Sequence, residues 1–113
     1  MSVNRGDVVW INFDDLDNKT MTKRRPALVL QNDVANRLAN STIVAAIRND
    51  TGKRLPVHVP LLQGVAGLTK NSLVDTGHIA TVPMESVGAV LGRLGAAEMA
   101  QVEVAIKSSL ALR

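Results

Sequence analysis

Residues 24–37 read RRPALVLQNDVANR, a basic pair followed by an apolar run and a polar cluster. The run at 27–30 predicts a buried strand, and the polar cluster after it predicts a chain reversal. Pro26 fixes its own φ and restricts Arg25 to extended backbone, so Arg25 is expected at the mouth of the strand. A planar guanidinium held there can bind a phosphate through two parallel hydrogen bonds. An isolated Arg-Pro pair is more often a solvated loop cation, so the neighbouring segments have to decide between the two interpretations.

The length of 113 residues predicts a single domain, residues 1–113, with one core. A hydrophobic content of 46% indicates a globular chain rather than a disordered one. The absence of cysteine excludes disulfides, a thiolate nucleophile and a zinc–thiolate site. The first residues lack the pattern of a signal peptide, and no apolar run is long enough to span a membrane. We therefore expect a soluble, cytoplasmic protein without a membrane partner.

Positive charge is concentrated in one part of the chain, whose net charge is +3. Between residues 19 and 54 the cations are Lys19, Lys23, Arg24, Arg25, Arg37, Arg48, Lys53 and Arg54, and the acids are Asp33 and Asp50. This excess favours a polyanion or an acidic partner, although solvated positive loops would give the same count. Residues 14–23 predict an exposed polar loop. Its lysines, Lys19 and Lys23, either fold over a bound nucleic acid or belong to a simple connection.

Short apolar segments predict strands at residues 7–13, 25–31, 41–47, 55–59, 72–75, 78–82 and 87–94. One helix is predicted at residues 96–112, and its apolar stripe, Met99, Val102, Ile106 and Leu110, indicates packing against the sheet. The polar residues at 32–36 predict a turn. Short strands followed by one helix indicate a mainly β fold. We expect a strongly curved sheet or partly open barrel with a C-terminal packing helix.

Segments spread along the chain resemble, in the same order, the MazF/PemK (Kid) family of toxin endoribonucleases. Residues 5–10 (RGDVVW) resemble the family's RGDVYW-type opening, and residues 25–36 (RPALVLQNDVAN) resemble its RPVLVIQND strand. Residues 42–47 (TIVAAI) resemble its TIVAAI strand, residues 55–59 (LPVHV) an LPTHV-like segment, and residues 107–110 (KSSL) the end of its last helix. The resemblance covers essentially the whole chain.

The resemblance implies an SH3-like small β-barrel with a C-terminal helix, a homodimer, and the toxin role in a type II toxin–antitoxin system. It implies cleavage of single-stranded RNA at short sequences without a metal or cofactor, leaving a 2′,3′-cyclic phosphate and a 5′-OH. It also implies an inhibitory antitoxin with an acidic, disordered tail. By the same resemblance Arg25 would be the catalytic arginine, stabilising charge that develops on the phosphoryl oxygens. Because arginine hardly ever deprotonates, the general base stays unassigned.

One departure from the family pattern is Arg48, which directly follows the TIVAAI strand where the family usually has Thr or Ser. Arg48 would either add a second clamp on the phosphate or crowd the pocket and leave a protein that binds RNA but cuts poorly. A neighbouring hydroxyl could replace the missing one, and Thr42 and Thr51 are the candidates.

A second departure is His78, which stands where the family tends to have Glu-Gln before Ile-Arg. An imidazole titrates near neutrality and suits proton transfer in a ribonuclease without a metal. The alternative is a histidine that caps a short strand. The other histidine, His58, lies in a Pro-bounded strand and is expected to be structural.

The candidates for RNA binding are the basic and polar residues around this site, Lys19, Lys23, Arg24, Asn36 and Arg37. Asn36 and Arg37 could instead hold the turn, as Asn32 and Asp33 are expected to do. Two other functions stay open, because a shared fold does not settle function. One is a CcdB-like toxin that binds DNA gyrase, and the other is a catalytically weakened family member that binds RNA or antitoxin. RNA cleavage and gyrase inhibition distinguish the three.

Overall fold

The computed structural model describes residues 3–12 and 24–113. This part of the chain contains six strands and two α-helices. In chain order they are β1 (Asp7–Asn12), β2 (Arg24–Val29), α1 (Asp33–Leu38), β3 (Ser41–Asn49), β4 (His58–Leu61), β5 (Ser72–Pro83), β6 (Val87–Arg93) and α2 (Ala96–Leu110). Single 3-10 turns lie between β4 and β5 and between β5 and β6. The predicted mainly β fold with a C-terminal helix is confirmed.

The strands form one antiparallel sheet in the order β4-β5-β3-β2-β1-β6. Its two edge strands, β4 and β6, do not pair with each other in the described ranges, so the sheet stays open. The partly open form of the predicted barrel is therefore the one observed. The central position of β2 and β3 places the ends of these strands, and with them Arg25 and Arg48, in the middle of the sheet.

Strands β1 and β2 bury side chains on both faces of the sheet. Val8 and Leu28 belong to one apolar cluster, whereas Val9 and Val29 belong to a second. Because successive side chains of a strand point to opposite faces, the two clusters lie on opposite faces. All four side chains are fully buried. This two-sided burial explains why both strands have continuous apolar sequences rather than alternating ones.

Helix α2 covers the cluster that contains Leu28. Val102 is buried in this cluster, and Met99 and Ile106 pack against it. Leu110, the last member of the predicted stripe, is instead exposed, because the helix ends at this residue. At its other end, Glu98 accepts a hydrogen bond from the backbone N–H of Gly95 and closes the first turn. Among the described residues, no helix is long and apolar enough to cross a membrane.

The structure has a short helix, α1, where the sequence predicted a turn. The side chain of Asn32 accepts a hydrogen bond from the backbone N–H of Ala35 at 2.9 Å and caps the helix. The pattern of α1 gave no helical signal because its apolar residues Val34 and Leu38 face solvent, while the buried residue is the polar Asn36. The chain reversal was predicted correctly, but its form was not.

Strand β4 begins later than predicted, at His58 rather than at Leu55. The backbone N–H of His58 donates to the carbonyl of Leu55 at 2.9 Å and closes a tight turn around Pro56. Proline has no N–H to donate to a sheet, which favours this turn over a strand.

Strand β5 is continuous where two short strands were predicted. Asp75 and Ile79 pair with the adjacent β3 residues Ala46 and Ala45, so residues 76–78 bulge out of the ladder. The predicted break around Gly77 is this bulge. Strand β3 is also longer than predicted and includes Arg48.

Candidate active site

A groove of about 790 Å³ lies beside the start of β2 and the end of β3. Its lining includes Arg25, Arg48 and His78, so the three predicted catalytic residues share one groove. Strands β2 and β3 pair as far as Ala27 and Ala46. Arg25 precedes Ala27 by two residues and Arg48 follows Ala46 by two residues. Because side chains of a strand alternate between faces, both arginines lie on the same face of the sheet as this alanine pair. Two guanidinium groups therefore flank a floor of small side chains.

Arg48 and the two histidines converge on Asp75, a residue of β5 that is only 4% exposed. Its Oδ2 lies 2.9 Å from Arg48 Nε and 2.9 Å from His78 Nδ1. Its Oδ1 accepts a hydrogen bond from the backbone N–H of Gly77 at 2.9 Å and lies 3.6 Å from His58 Nε2. A buried carboxylate needs such partners, because loss of its hydration is otherwise costly.

Sequence analysis missed Asp75, which the strand register brings together with residues far away along the chain. Asp75 lies directly opposite His58 on β4 and diagonally opposite Arg48 on β3. His78 reaches the same carboxylate from the bulge of β5. The available signal was an acid at the end of the apolar run 72–75, three residues before a histidine.

The two histidines of the chain present different nitrogens to Asp75. His58 Nδ1 accepts a hydrogen bond from the backbone N–H of Leu55 at 3.0 Å, so its ring proton lies on Nε2. His78 faces Asp75 with Nδ1 instead. Because a carboxylate only accepts hydrogen bonds, the neutral His78 ring carries its proton on Nδ1 and has a lone pair on Nε2. The His78 side chain is 62% exposed, so this lone pair is open to a ligand.

The groove is predominantly positive. Lys53 lines it together with Arg25 and Arg48, and among the described residues of the lining Asp75 is the one carboxylate. Within residues 3–12 and 24–113, the side chain of Arg25 has no hydrogen-bond or ion-pair partner. The Thr51 hydroxyl also belongs to the lining. This distribution favours a ligand that carries phosphate groups.

Of the predicted RNA-binding residues on and before β2, Arg24 lies within the described ranges, and it does not line this groove. Lys19 and Lys23 lie outside the described residues. The guanidinium of Arg24 lies 5.0 Å from the centroid of the Trp10 ring, in a cation–π contact. Arg24 and Arg25 are successive strand residues, so they point to opposite faces of the sheet.

Asn36 is buried and its amide is fully engaged within the fold. Its Nδ2 donates to the carbonyl of Gln31 at 2.9 Å, and its Oδ1 accepts from Thr42 Oγ1 at 2.7 Å and from Gln31 Nε2 at 3.0 Å. The structure therefore corrects the prediction for Asn36, which holds α1 against β3. The Thr42 hydroxyl is engaged in the same network and does not reach the groove. Arg37 is exposed and lines a separate hollow of about 970 Å³ that also contains Glu85.

We expect Asn36→Ala to lower the free energy of unfolding by about 1–3 kcal/mol, because it leaves buried polar groups of Gln31 and Thr42 without partners. Urea unfolding measures the loss. The control is Asn40→Ala at an exposed position, which should change stability by less than about 0.5 kcal/mol. If Asn36→Ala lowered the affinity for RNA without lowering stability, Asn36 would be a residue that binds RNA, as the sequence predicted.

Two carboxylates outside the groove have lowered pKa values. The backbone N–H of Arg5, 2.6 Å from Asp33 Oδ1, is the main cause of the lowered pKa of Asp33. The side chain of Arg54, 2.7 Å from Asp50 Oδ2, is the main cause of the lowered pKa of Asp50. The lowered pKa means that each of these two carboxylates, when ionised, stabilises the folded chain. This stabilisation is fully present above the pKa that the carboxylate has in the unfolded chain, and it is lost as the pH falls through its lower pKa in the folded chain.

The family model of PemK-like, MazF-like toxins of type II toxin–antitoxin systems matches residues 4–110. The chain belongs to this family. Endoribonuclease EndoA of Bacillus subtilis (strain 168) is 33% identical to this MazF-like chain over 113 residues, which cover 99% of the chain and 97% of EndoA. The resemblance drawn from the sequence segments is therefore confirmed.

Solved structures of MazF-like toxins have the same fold. The Mycobacterium tuberculosis toxin MazF-mt6 matches with a TM-score of 0.80 and 26% identity, covering 95% of this chain and 98% of that one. An endoribonuclease from Mycobacterial species, solved in complex with its cognate antitoxin, matches with a TM-score of 0.82 and 21% identity, covering 99% and 98%. The second likeness is one of fold alone. The SH3-like architecture with a C-terminal helix is thus the MazF-like fold.

Proposed function

We propose that this MazF-like chain is the toxin of a type II toxin–antitoxin system and a sequence-specific, metal-independent endoribonuclease that acts on single-stranded RNA. The observation that carries the proposal is the single groove lined by Arg25, Arg48 and His78. Fixed cations and a group able to transfer protons are what a phosphodiester cleavage requires. The family match and the name of the relative EndoA, an endoribonuclease, support the same activity.

The proposed reaction is attack of a ribose 2′-OH on the adjacent phosphorus. The O2′–P bond forms and the P–O5′ bond breaks, while the 2′-OH gives up a proton and the leaving 5′-oxygen gains one. The products are a 2′,3′-cyclic phosphate and a 5′-OH. Negative charge grows on the phosphoryl oxygens, and a preorganised guanidinium stabilises this charge more than it stabilises the ground state. Arg25, which has no partner among the described residues, is suited to this role.

Arg48 is proposed as a second clamp on the phosphate rather than an obstacle to it. Its Nε is bound to Asp75, so the guanidinium is held by one edge, and its side chain remains 51% exposed. The two terminal nitrogens of a guanidinium held in this way can still donate to an anion. This geometry favours an active enzyme over the weakened family member. His78 is proposed as the group that transfers a proton.

The proposed partners are an acidic antitoxin and a second copy of the chain. The cations around the groove complement an acidic segment, and a structural relative was solved in complex with its cognate antitoxin. The homodimer and a cytoplasmic location are proposed from family membership. Arg24 and Arg37 remain candidates for RNA binding outside the groove, and Lys19 and Lys23 remain candidates for RNA binding.

We expect antitoxin and RNA to compete, because both are anionic and would use the cations of the same groove. The measurement is RNA binding to the native protein at increasing concentrations of an acidic antitoxin segment, with a 2′-O-methylated RNA that cannot be cut. The apparent Kd for RNA should rise in proportion to the antitoxin concentration. Formation of a ternary complex with no loss of affinity would count against a shared site.

The function is tested by incubating the native protein with a long single-stranded RNA in the presence of EDTA. We expect cleavage at a short recurring sequence. A gyrase supercoiling assay with the same protein tests the CcdB-like alternative. Inhibition of gyrase without RNA cleavage would support that alternative, and RNA binding without cleavage would support the weakened family member; each result contradicts the proposed function.

A further inference from the structure

We propose that Asp75 is a positioning residue that fixes the orientation and tautomer of His78, so that His78 Nε2 takes the proton from the RNA 2′-OH. The inference rests on the proposed ribonuclease function and deepens it, since it assigns the base and the residue that orients it. It is carried by the contact between Asp75 Oδ2 and His78 Nδ1, which are 2.9 Å apart.

An exposed imidazole has two tautomers and two ring orientations, and most of these do not present an unprotonated Nε2 to a ligand. The bond to Asp75 selects one of them, because an ionised carboxylate can only accept a hydrogen bond and so requires the ring proton on Nδ1. His78 is otherwise largely exposed, so this bond is what holds its ring. A base held in one orientation transfers a proton more effectively than one that rotates freely.

Asp75 is itself rigidly held, as a positioning residue must be. Its Oδ1 accepts from the Gly77 N–H, and a Cβ at Gly77 would lie 3.1 Å from this oxygen. The intervening Thr76 donates through both its N–H and its Oγ1 to the carbonyl of Val57, at 3.0 and 2.7 Å. The carbonyl of Thr76 accepts from Ser109 Oγ on α2 at 2.8 Å. The bulge that follows Asp75 and carries His78 is thus tied to the turn before β4 and to α2.

The proton balance of the step is complete with water as co-reactant. Neutral His78 takes the 2′-OH proton on Nε2 as the O2′–P bond forms, and water supplies a proton to the leaving 5′-oxygen. The imidazolium then returns its proton to solvent. Asp75 stays ionised throughout and stabilises the imidazolium, as a carboxylate bound to the other ring nitrogen does in hydrolytic triads.

The chain contains a matched control for Asp75. Asp50 also accepts from a backbone N–H two residues later, that of Gly52, with its Oδ1 at 2.9 Å, and it also binds an arginine, Arg54, with its Oδ2 at 2.7 Å. It makes no histidine contact and does not line the groove. Asp50→Asn therefore removes the same charge from the same kind of local bonding without touching His78.

The first arm of the test reads the ring tautomers by long-range ¹H–¹⁵N NMR, which needs no RNA. The chain has two histidines, so His58→Asn assigns both rings. In the native protein we expect the ring proton of His78 on Nδ1 and that of His58 on Nε2. Asp75→Asn should move the His78 proton to Nε2, whereas Asp50→Asn should leave it on Nδ1. A His78 ring that is already protonated on Nε2, or that is unchanged in Asp75→Asn, would overturn the proposal.

The second arm measures single-turnover cleavage of RNA. His78→Gln should lower the rate about 100- to 10,000-fold, the usual contribution of a general base. Asp75→Asn should lower kcat about 10- to 100-fold with little change in KM, a loss comparable to removing a carboxylate that orients a metal-bound histidine. Because Asp75 also binds Arg48 Nε, the comparison is made in an Arg48→Ala background, where adding Asp75→Asn to His78→Gln should slow cleavage no further, since Asp75 then acts through His78. Additive losses would contradict this.

The outcomes also separate this proposal from the proposed function. Absence of cleavage by the native protein contradicts the ribonuclease function and the role of His78 as base, while the NMR arm still decides whether Asp75 positions His78. Cleavage that is lost in Arg25→Ala but unaffected in His78→Gln supports the function and overturns the inference. Thermal unfolding of each variant identifies the folded fraction, to which the rates are normalised.

Discussion

Arg25→Ala is expected to lower the rate of RNA cleavage by about 100- to 1000-fold, the usual cost of removing one preorganised donor from a developing anion. Arg25 pairs with Ile11 of β1, lies two residues beyond the part of β2 that pairs with β3, and lines the groove. Its side chain is exposed and has no partner among the described residues, so the loss should fall on the rate and not on stability. Single-turnover kinetics and thermal unfolding of the same preparation measure the two effects.

Two further variants sharpen the assignment of Arg25. Arg25→Lys keeps the charge but loses the planar fork, so it should recover only part of the rate. Arg24→Ala removes the same charge from the opposite face of β2, where the guanidinium lies over Trp10; at saturating protein concentration, where any effect on RNA binding is removed, it should slow cleavage less than about tenfold. Equal losses in Arg24→Ala and Arg25→Ala would mean that charge alone matters, and the catalytic assignment would fail.

Leu28→Ala is expected to lower the free energy of unfolding by about 2–5 kcal/mol, the range observed for truncation of a buried leucine. Leu28 is fully buried in the cluster beneath α2 and lies on the central strand β2, paired with Val8 on one side and Ala45 on the other. The loss of stability has two causes: less apolar surface is removed from water on folding, and the truncated side chain leaves a cavity in the cluster. Chemical denaturation measures the change.

Leu62→Ala serves as the control for Leu28→Ala, because the same atoms are removed from a side chain that is 70% exposed. It should change stability by less than about 0.5 kcal/mol. Similar losses in the two variants would show that the cluster around Leu28 is not a packed core.

Much of the fold could be predicted from the sequence because its strands carry local signals. Strands β1 and β2 and helix α2 begin and end close to their predicted bounds, because apolar runs mark the two strands and a periodic apolar stripe marks the helix. The short helix α1 could not be found, because its only buried residue is Asn36 and its apolar side chains face solvent. The continuous β5 was divided in two because a bulge and a break in a strand have the same sequence signature.

Some residues of the candidate site could be picked out from the sequence, and others could not. Arg25, Arg48 and His78 were singled out through the resemblance to the family and the departures from its pattern; the structure brings them together in one groove, and their catalytic roles stay predictions. Asp75 was missed because its importance depends on the register of β5 with β3 and β4, which no local pattern fixes. Asn36 looked available for RNA because a polar residue in a predicted turn is normally exposed; here Thr42 and Gln31 bury and satisfy it.

The most direct test of the proposed chemistry is analysis of the RNA ends produced by the native protein in EDTA. If a 2′-OH is the nucleophile, each new 5′ end should be a hydroxyl that polynucleotide kinase labels without prior phosphatase treatment, and each new 3′ end should carry a 2′,3′-cyclic phosphate. A substrate with a 2′-deoxyribose at the cleavage position should not be cut. Fragments with 5′-phosphate ends, or cleavage of the 2′-deoxy substrate, would contradict the mechanism assigned to Arg25 and its groove.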